Sequence, residues 1–462
     1  MAASVHRYRR LGARSHDLSI LPGAVALRAW RSSAGASKFR AALLLPGIAV
    51  VLAYAAMSQG GFYLPQAMVS LAVLAPLAFL AASAWEDAAP VGVALALLGA
   101  SLLASAAWND EWRAMLSPAA TLLLAAGAFT VSRAIVRRGD REGLVSVLTA
   151  IGAIVAATGI IGLATHLEPW GMWATELWRA GTSLTYANAG GALVAFALPA
   201  AGLLLAHRGT PLRRVCALLL VVGMAASLSR GATLGLVAGA GLAATLGGAA
   251  ALRTLGWPLV ASLPAVAGLV PSMLGDVGHP IPAIAGLVTG ILVAAAPPRT
   301  LPAWVRPALA TGFVAIAVVA ARAGALDQLE ASRLSSSIEY RPAQWSAAVA
   351  VGTAHPVFGV GVNRFGAGSS LFAHNEYLQA FAETGIVGLA TIATAIVLCA
   401  AWLWRRRPRG PERVAWALGA GACVSFLVQS SVDFLWRFPL LVMVAFVWLG
   451  VAGTRPERGR DR

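Results

Sequence analysis

Apolar runs long enough to cross a lipid bilayer recur along this 462-residue chain, and that feature removes most folds from consideration. In hydrocarbon every backbone N–H and C=O must find its partner within the chain, so only helices and closed barrels span a membrane. A barrel would show alternating segments of about ten residues. Here the runs are continuous and rich in Ala, Leu, Val and Gly; 58% of residues are hydrophobic, 12% are charged, and the mean hydropathy is +0.74. A soluble fold would have to bury nearly all of them. The expected fold is an all-α polytopic membrane protein.

At about 20 apolar residues per span, helices are predicted near 41–58, 65–85, 90–108, 117–136, 143–165, 187–206, 212–229, 231–251, 256–274, 281–297, 303–323, 379–404, 413–431 and 435–454. This is a bundle of about 12–14 spans. Counted from a cytoplasmic N-terminus, the even-numbered connections hold Arg133 to Arg141, Arg208 to Arg214, Arg253, Arg299 to Arg306, Arg405 to Arg413 and the Arg-rich C-terminus. The even connection lacking a basic residue is the short one at Glu86 and Asp87. Because cytoplasmic loops carry the excess of Arg and Lys, both termini are expected in the cytoplasm.

The resulting organisation is a cytoplasmic tail over 1–40, spans over 41–323, an extracytoplasmic loop over 324–378 between the eleventh and twelfth predicted spans, spans over 379–454, and a cytoplasmic tail over 455–462. The first tail has no short apolar core with a small-residue cleavage site, so it does not read as a cleavable signal. Residues 166–186, the Ser229-Arg230 corner and 324–378 share the outer face. A long connection is usually functional or disordered, and Trp345, Phe358, Phe365 and Phe372 argue against disorder.

The net charge of +16 does not imply nucleic acid, because the arginines sit in short clusters between apolar runs and form no separate basic face. Cys216, Cys399 and Cys423 lie within apolar runs and have no metal-ligand spacing. Neither a metal nor another cofactor is expected.

Ionisable residues inside a chain this apolar call for a reason, and they gather in FAHNEYLQAFAETGIVG, residues 372–388. Asn375 is a favourable N-cap for a helix entering the membrane, and Glu376 falls in its first turn, where acids are stabilised. Helical spacing sets Glu376, Gln379 and Glu383 on one face. His374 sits just outside the cap, where the positive helix end favours the neutral ring that accepts a proton. Alone, His374 reads equally as part of a capping arrangement.

Arg341 precedes Pro342, which suits the first position of a helix running to about Gly352 and would put the guanidinium at a phosphate-binding helix end. The alternative is a solvated loop arginine. Arg230 either snorkels to the interface or binds substrate. Asn188 either caps the helix that follows it or contacts a sugar, and Asp433 is expected to pair with Arg437. The glycines of HPVFGVGVN, 355–363, have the spacing of a tight turn or a close backbone approach and are no nucleotide fingerprint.

Together these segments resemble the O-antigen ligase and polymerase superfamily over roughly 180–450. The stretch from Ala373 to Gly388 is similar to that family's signature, with GTSLTYANAGGALVAFALP, SLSRGATLGLVAG, EYRPAQWSAAVAVGTAHPVFGVGVNRF and SSVDFLWRFP in the places of its other motifs. The resemblance implies a GT-C-like helical fold in the bacterial inner membrane. It also implies an undecaprenyl-pyrophosphate-linked glycan donor, a lipid or glycan acceptor, polysaccharide-assembly proteins as further partners, and metal-independent, inverting transfer.

By matching motif, Arg230 and Arg341 would bind the pyrophosphate and His374 would activate the acceptor hydroxyl. Asn188, Tyr340, Trp345, Asn375, Glu376 and Glu383 would line the substrate site. Two departures leave the acceptor, and with it ligase or polymerase, open: the outer segment is short for a ligase that must hold a lipid A core, and Gln429 stands where a residue such as His is expected. A lipid-linked-oligosaccharide flippase, the reading from another class, would place its ionisable residues near mid-membrane.

Overall fold

The computed structural model describes residues 34–110, 112–174, 177–296, 336–366 and 372–455, with the side chains of 34–41 and 336–340 left out. The chain divides into two compact units, Met1–Leu43 and Leu44–Arg462; the first contributes the start of α1, and everything below concerns the second. Predicted span 303–323 and most of both predicted tails lie outside the described residues.

The helices run in order as α1 Ala34–Met57, α2 Leu64–Leu80, α3 Ala89–Asn109, α4 Leu116–Arg137 and α5 Arg141–Thr165. A hairpin of β1 Gly171–Ala174 and β2 Leu177–Ala180 follows, pairing antiparallel with Met172 opposite Arg179. Next come α6 Ala187–His207, α7 Pro211–Ser227 and α8 Arg230–Ala243, which passes through a wide turn at Ala244–Gly248 into α9 Ala249–Arg253. Then follow α10 Gly256–Leu274, α11 Pro280–Ala295, α12 Ser336–Ala354, α13 Glu376–Arg405, α14 Glu412–Ser430 and α15 Pro439–Gly453. Seven helices among the described residues are long and apolar enough to cross a membrane, and four shorter apolar helices accompany them. The chain is a multi-pass helical membrane protein; among the described residues the departure from the all-α expectation is the β1–β2 hairpin in segment 166–186.

The second correction concerns Arg341. α12 begins at Ser336, so Pro342 lies inside the helix and Arg341 one turn into it, away from the helix end. At the seventh position of the helix proline forfeits one backbone hydrogen bond and its ring crowds the carbonyl four residues back, a cost that its first position would have avoided. The phosphate cradle expected from helix amides at Arg341 is therefore absent, and its guanidinium remains.

Lipid supplies little hydrophobic drive between helices, so close packing rests on small residues that let backbones approach. The seam between α8 and α14 is built this way. A side chain at Gly239 would strike the Gly421 carbonyl oxygen, one at Gly421 would strike the Gly239 carbonyl oxygen, and Gly235 lies against the Ser425 carbonyl.

Among the described residues, ion pairs gather arginines of the connections at 133–141 and 405–413 around Asp87. Asp87 binds Arg133, Arg137 at 2.9 Å and Arg406 at 2.6 Å, while its carbonyl accepts from the indole of Trp402 at 3.0 Å. The acidic connection that lacked a basic residue is thus the anchor for the basic ones. Partial burial opposes ionisation of Asp87, yet the guanidiniums of Arg133 and Arg406 outweigh it and hold the carboxyl down at about 2. Arg141 pairs with Glu412 and Arg213 with Glu142 on the same face.

Candidate functional site

At the opposite end of the bundle, α13 is not one continuous helix. Gly385 takes φ 64° and ψ −162°, breaking the ladder, and the segment Pro356–Gly361 runs beside the break. Val360 N–H donates to the Ala382 carbonyl at 3.0 Å and Gly361 N–H to that of Glu383 at 3.1 Å. In return, Ile386 N–H donates to the Pro356 carbonyl at 2.8 Å and Val387 N–H to that of Val357 at 3.3 Å. The hydroxyl of Ser105 on α3 donates to the carbonyls of Phe358 and Glu383, each at 3.1 Å. Gly359, at φ +68°, and Gly385 each press against the backbone of the other segment, where no β-carbon fits. The close backbone approach expected from the glycine spacing is present, and it makes the first turns of α13 a platform fastened from two sides.

On that platform Asn375 is the N-cap, its Oδ1 accepting from Tyr377 N–H and Leu378 N–H, each at 3.1 Å. His374 precedes it with φ 50°, a left-handed conformation that costs an L-residue about 1–2 kcal/mol. That turn points the ring at the 431–438 corner between α14 and α15. Nδ1 of His374 lies 3.4 Å from Oδ1 of Asp433, and the ring stands edge-on to Phe434 at 5.0 Å.

Asp433 is buried and does not pair with Arg437, contrary to expectation. Its carboxylate accepts from the Tyr186 hydroxyl at 3.0 and 3.2 Å and from Phe434 N–H at 2.9 Å. Asn188 donates to the Tyr186 oxygen at 2.9 Å, and Arg179 of β2 donates to Asn188 Oδ1 at 2.9 Å and to the Ser227 carbonyl at 3.0 Å. Asn188 therefore does not cap α6, whose N-cap is Tyr186. Both ends of its amide are taken up inside the protein.

Burial first, and then the Asp433 carboxylate, push the Tyr186 phenol well above its usual value, so its hydroxyl remains a donor. Burial likewise draws Arg179 below its ordinary value, and the nearby guanidiniums of Arg230 and Arg341 act in the same direction. Those two also act on each other. Arg230 of α8 and Arg341 of α12 thus lie within electrostatic reach of Arg179 of β2 and of each other, and the Asp433 carboxylate offsets them at Arg179. Arg230 is exposed and Arg341 half-buried. Arg230 is held at the head of α8 by Ser229, whose hydroxyl accepts from Ala232 N–H at 3.2 Å. It also borders an open surface groove of about 1150 Å³ lined by apolar side chains of α7, α8 and α10 such as Val221, Leu234, Val237 and Leu259, which reaches Arg253 at the other end.

The remaining predicted residues form a second group. Glu376, Gln379 and Glu383 do share a face, and all three line a cavity of about 170 Å³ with Arg437 and apolar residues of α3. Glu376 accepts from Trp436 N–H at 2.7 Å, fastening the 431–438 corner to α13. Glu383 takes Arg437 at 2.7 and 2.9 Å and Gln379 at 2.9 Å. Burial alone would lower Arg437, but the carboxylates of Glu383 and Glu376 hold it above its ordinary value. Trp345 is half-buried on α12, and the side chain of Tyr340 lies outside the described residues.

Among the described residues no three His, Cys, Asp or Glu side chains gather as a metal site. Sequence reasoning missed Arg179 and Tyr186 altogether and gave Asp433 the wrong partner. The one available signal was TYAN beside an arginine, which reads as an ordinary helix start.

Residues 215–393 match the family model described as O-antigen ligase. No curated protein matches the chain. The matched stretch contains Arg230, Arg341 and His374, whereas Arg179, Tyr186, Asn188 and Asp433 lie on either side of it.

Proposed function

We propose that this chain, a member of the O-antigen ligase and polymerase superfamily by its 215–393 segment, is a GT-C-like glycosyltransferase of the bacterial inner membrane with both termini in the cytoplasm. It moves a glycan from undecaprenyl pyrophosphate to an acceptor hydroxyl on the extracytoplasmic face. What supports this reading is the 3.4 Å approach of His374 to Asp433 together with the electrostatic influence that Asp433, Arg230 and Arg341 exert on Arg179.

A pyrophosphate is a poor leaving group unless its growing charge is met, and permanently charged guanidiniums in a partly desolvated site meet it. Arg230 and Arg341 hold the pyrophosphate, and the open apolar groove running from Arg230 to Arg253 takes the isoprenoid tail. The acceptor oxygen attacks the anomeric carbon as the bond from that carbon to the pyrophosphate oxygen breaks, inverting the centre. The bonding pair leaves with the pyrophosphate. His374 takes the hydroxyl proton, and the carboxylate of Asp433 steadies the imidazolium that forms, as the acid of a catalytic triad does. Transfer on this scheme needs no metal.

The test is turnover of a synthetic polyprenyl-pyrophosphate glycan by purified protein in lipid nanodiscs. The wild type releases free pyrophosphate lipid and extends the acceptor, while Arg341→Ala and His374→Ala each lose at least a hundredfold of the rate, consistent with removal of a general base or a charge clamp. Full activity of either variant refutes the scheme. Movement of intact donor across the bilayer without cleavage would identify a flippase.

A further inference from the structure

We propose that Tyr186, Asn188 and Arg179 are positioning residues for His374, acting through Asp433. The proposal rests on the transferase reading above.

The four groups form a one-way chain of donors. Arg179 donates to the carbonyl end of Asn188, the amide end of Asn188 donates to the phenol oxygen, and the phenol spends its only proton on Asp433. Each link requires the particular group it has: a carbonyl toward the guanidinium, an NH₂ toward the phenol, and a hydroxyl toward the carboxylate. Residues 179, 188 and 433 are 8%, 9% and 1% exposed and Tyr186 is half-buried, so both ends of the chain are shielded from water, where hydrogen bonds polarise one another. Aromatic packing fixes its middle, with the Tyr186 ring stacked on Phe434 at 5.0 Å and on Phe438 at 6.0 Å. The far side of Phe434 carries Phe372 at 4.3 Å, two residues before His374.

The consequence falls on the imidazole. Asp433 carries the phenol's hydrogen bond and lies 3.4 Å from Nδ1 of His374, so Tyr186 sets how much of the carboxylate's charge acts on the ring. The other charged groups around this pair are Arg179 on β2, Arg230 on α8, Arg341 on α12, Glu376 and Glu383 on α13, and Arg437 after α14. Those in α8, α12 and α13 remain in place when the phenol hydroxyl is removed.

Tyr186→Phe keeps the stacked ring and deletes the hydroxyl. In the nanodisc assay kcat falls about tenfold, the size of one lost hydrogen bond to a charged group, while KM for donor and acceptor stays within about twofold. With the phenol gone, more of the carboxylate's charge reaches the ring, so the acid limb of the kcat/KM profile moves up by about one pH unit. Asn188→Ala, which leaves the hydroxyl but frees its oxygen, produces the same pattern more weakly. Asp433→Glu in the Tyr186→Phe background recovers part of kcat if positioning is the role. His374→Ala is measured in parallel. If it is dead while Tyr186→Phe keeps the wild-type kcat and pH profile, the positioning proposal is refuted. A rise in KM alone would also refute it, making Tyr186 a substrate contact. If His374→Ala keeps wild-type activity, the transferase reading falls first.

Discussion

Replacing Gly359 by alanine tests whether the site platform depends on the backbone fastening. Gly359 has φ +68°, and an added β-carbon would meet the carbonyl group of Glu383 and the amide of Thr384, neither of which can swing aside. The left-handed conformation costs alanine about 1–2 kcal/mol. Relieving the clash pushes the 356–361 segment off α13 and endangers four backbone hydrogen bonds, each with a net worth of about 1 kcal/mol. A loss of roughly 3–5 kcal/mol follows if most of them go. At the low end of the size scaling, about 2 °C per kcal/mol, the Tm of the purified protein in detergent falls by roughly 5–10 °C. Activity at a permissive temperature falls as well, because the turns that carry His374 lose their support. Gly99→Ala is the control: it adds the same methyl to α3 in open space, where alanine is the better helix former. Equal melting temperatures for Gly359→Ala and the wild type would refute the reasoning.

Two other perturbations probe charge. Asp87 has its folded value held at about 2, below the 3.8 of an unperturbed group, so its stabilising contribution is complete above pH 3.8 and is lost as pH falls through 2. Asp87→Asn should therefore lower Tm at neutral pH and flatten its acid dependence between those values; an unchanged acid limb would show that Asp87 does not anchor the arginine face. Removing one partner of the buried Glu383–Arg437 pair, as in Glu383→Gln, is expected to cost about 3–5 kcal/mol. The double variant Glu383→Gln with Arg437→Met should recover part of that loss, and strict additivity in the thermal shift would show that the pair is not coupled.

Most of the helical framework was legible because bilayer length and arginine placement are strong, local signals. The cap at Asn375, the shared face of Glu376, Gln379 and Glu383, and the close approach at the HPVFGVGVN glycines followed from short-range rules for the same reason. What escaped was long-range. Tyr186 and Asp433 meet across 247 positions, and Arg179 reaches Asn188 only because a hairpin folds β2 back toward α6. Proximity in sequence suggested Arg437 for Asp433, but the carboxylate of Glu383, 54 positions away, takes that arginine. The break at Gly385 was hidden because ETGIVG reads like any other entry into a span, and the bonds that make the break tolerable come from a different segment.

The glycine seam between α8 and α14 also works as a ruler. With carbonyls and α-carbons in direct contact at Gly235, Gly239 and Gly421, neither helix can slide or rotate without a collision, so the separation of Arg230 from the Asp433 corner is set by residue counting. One residue inserted between positions 231 and 235 would turn everything before it by about 100° and lift it by about 1.5 Å. Arg230 would swing out of the arginine cluster while the seam below stayed intact. Point substitutions can accumulate along the lipid-facing side of α8, but its length between Arg230 and Gly235 is fixed by the seam below and the position of the arginine above.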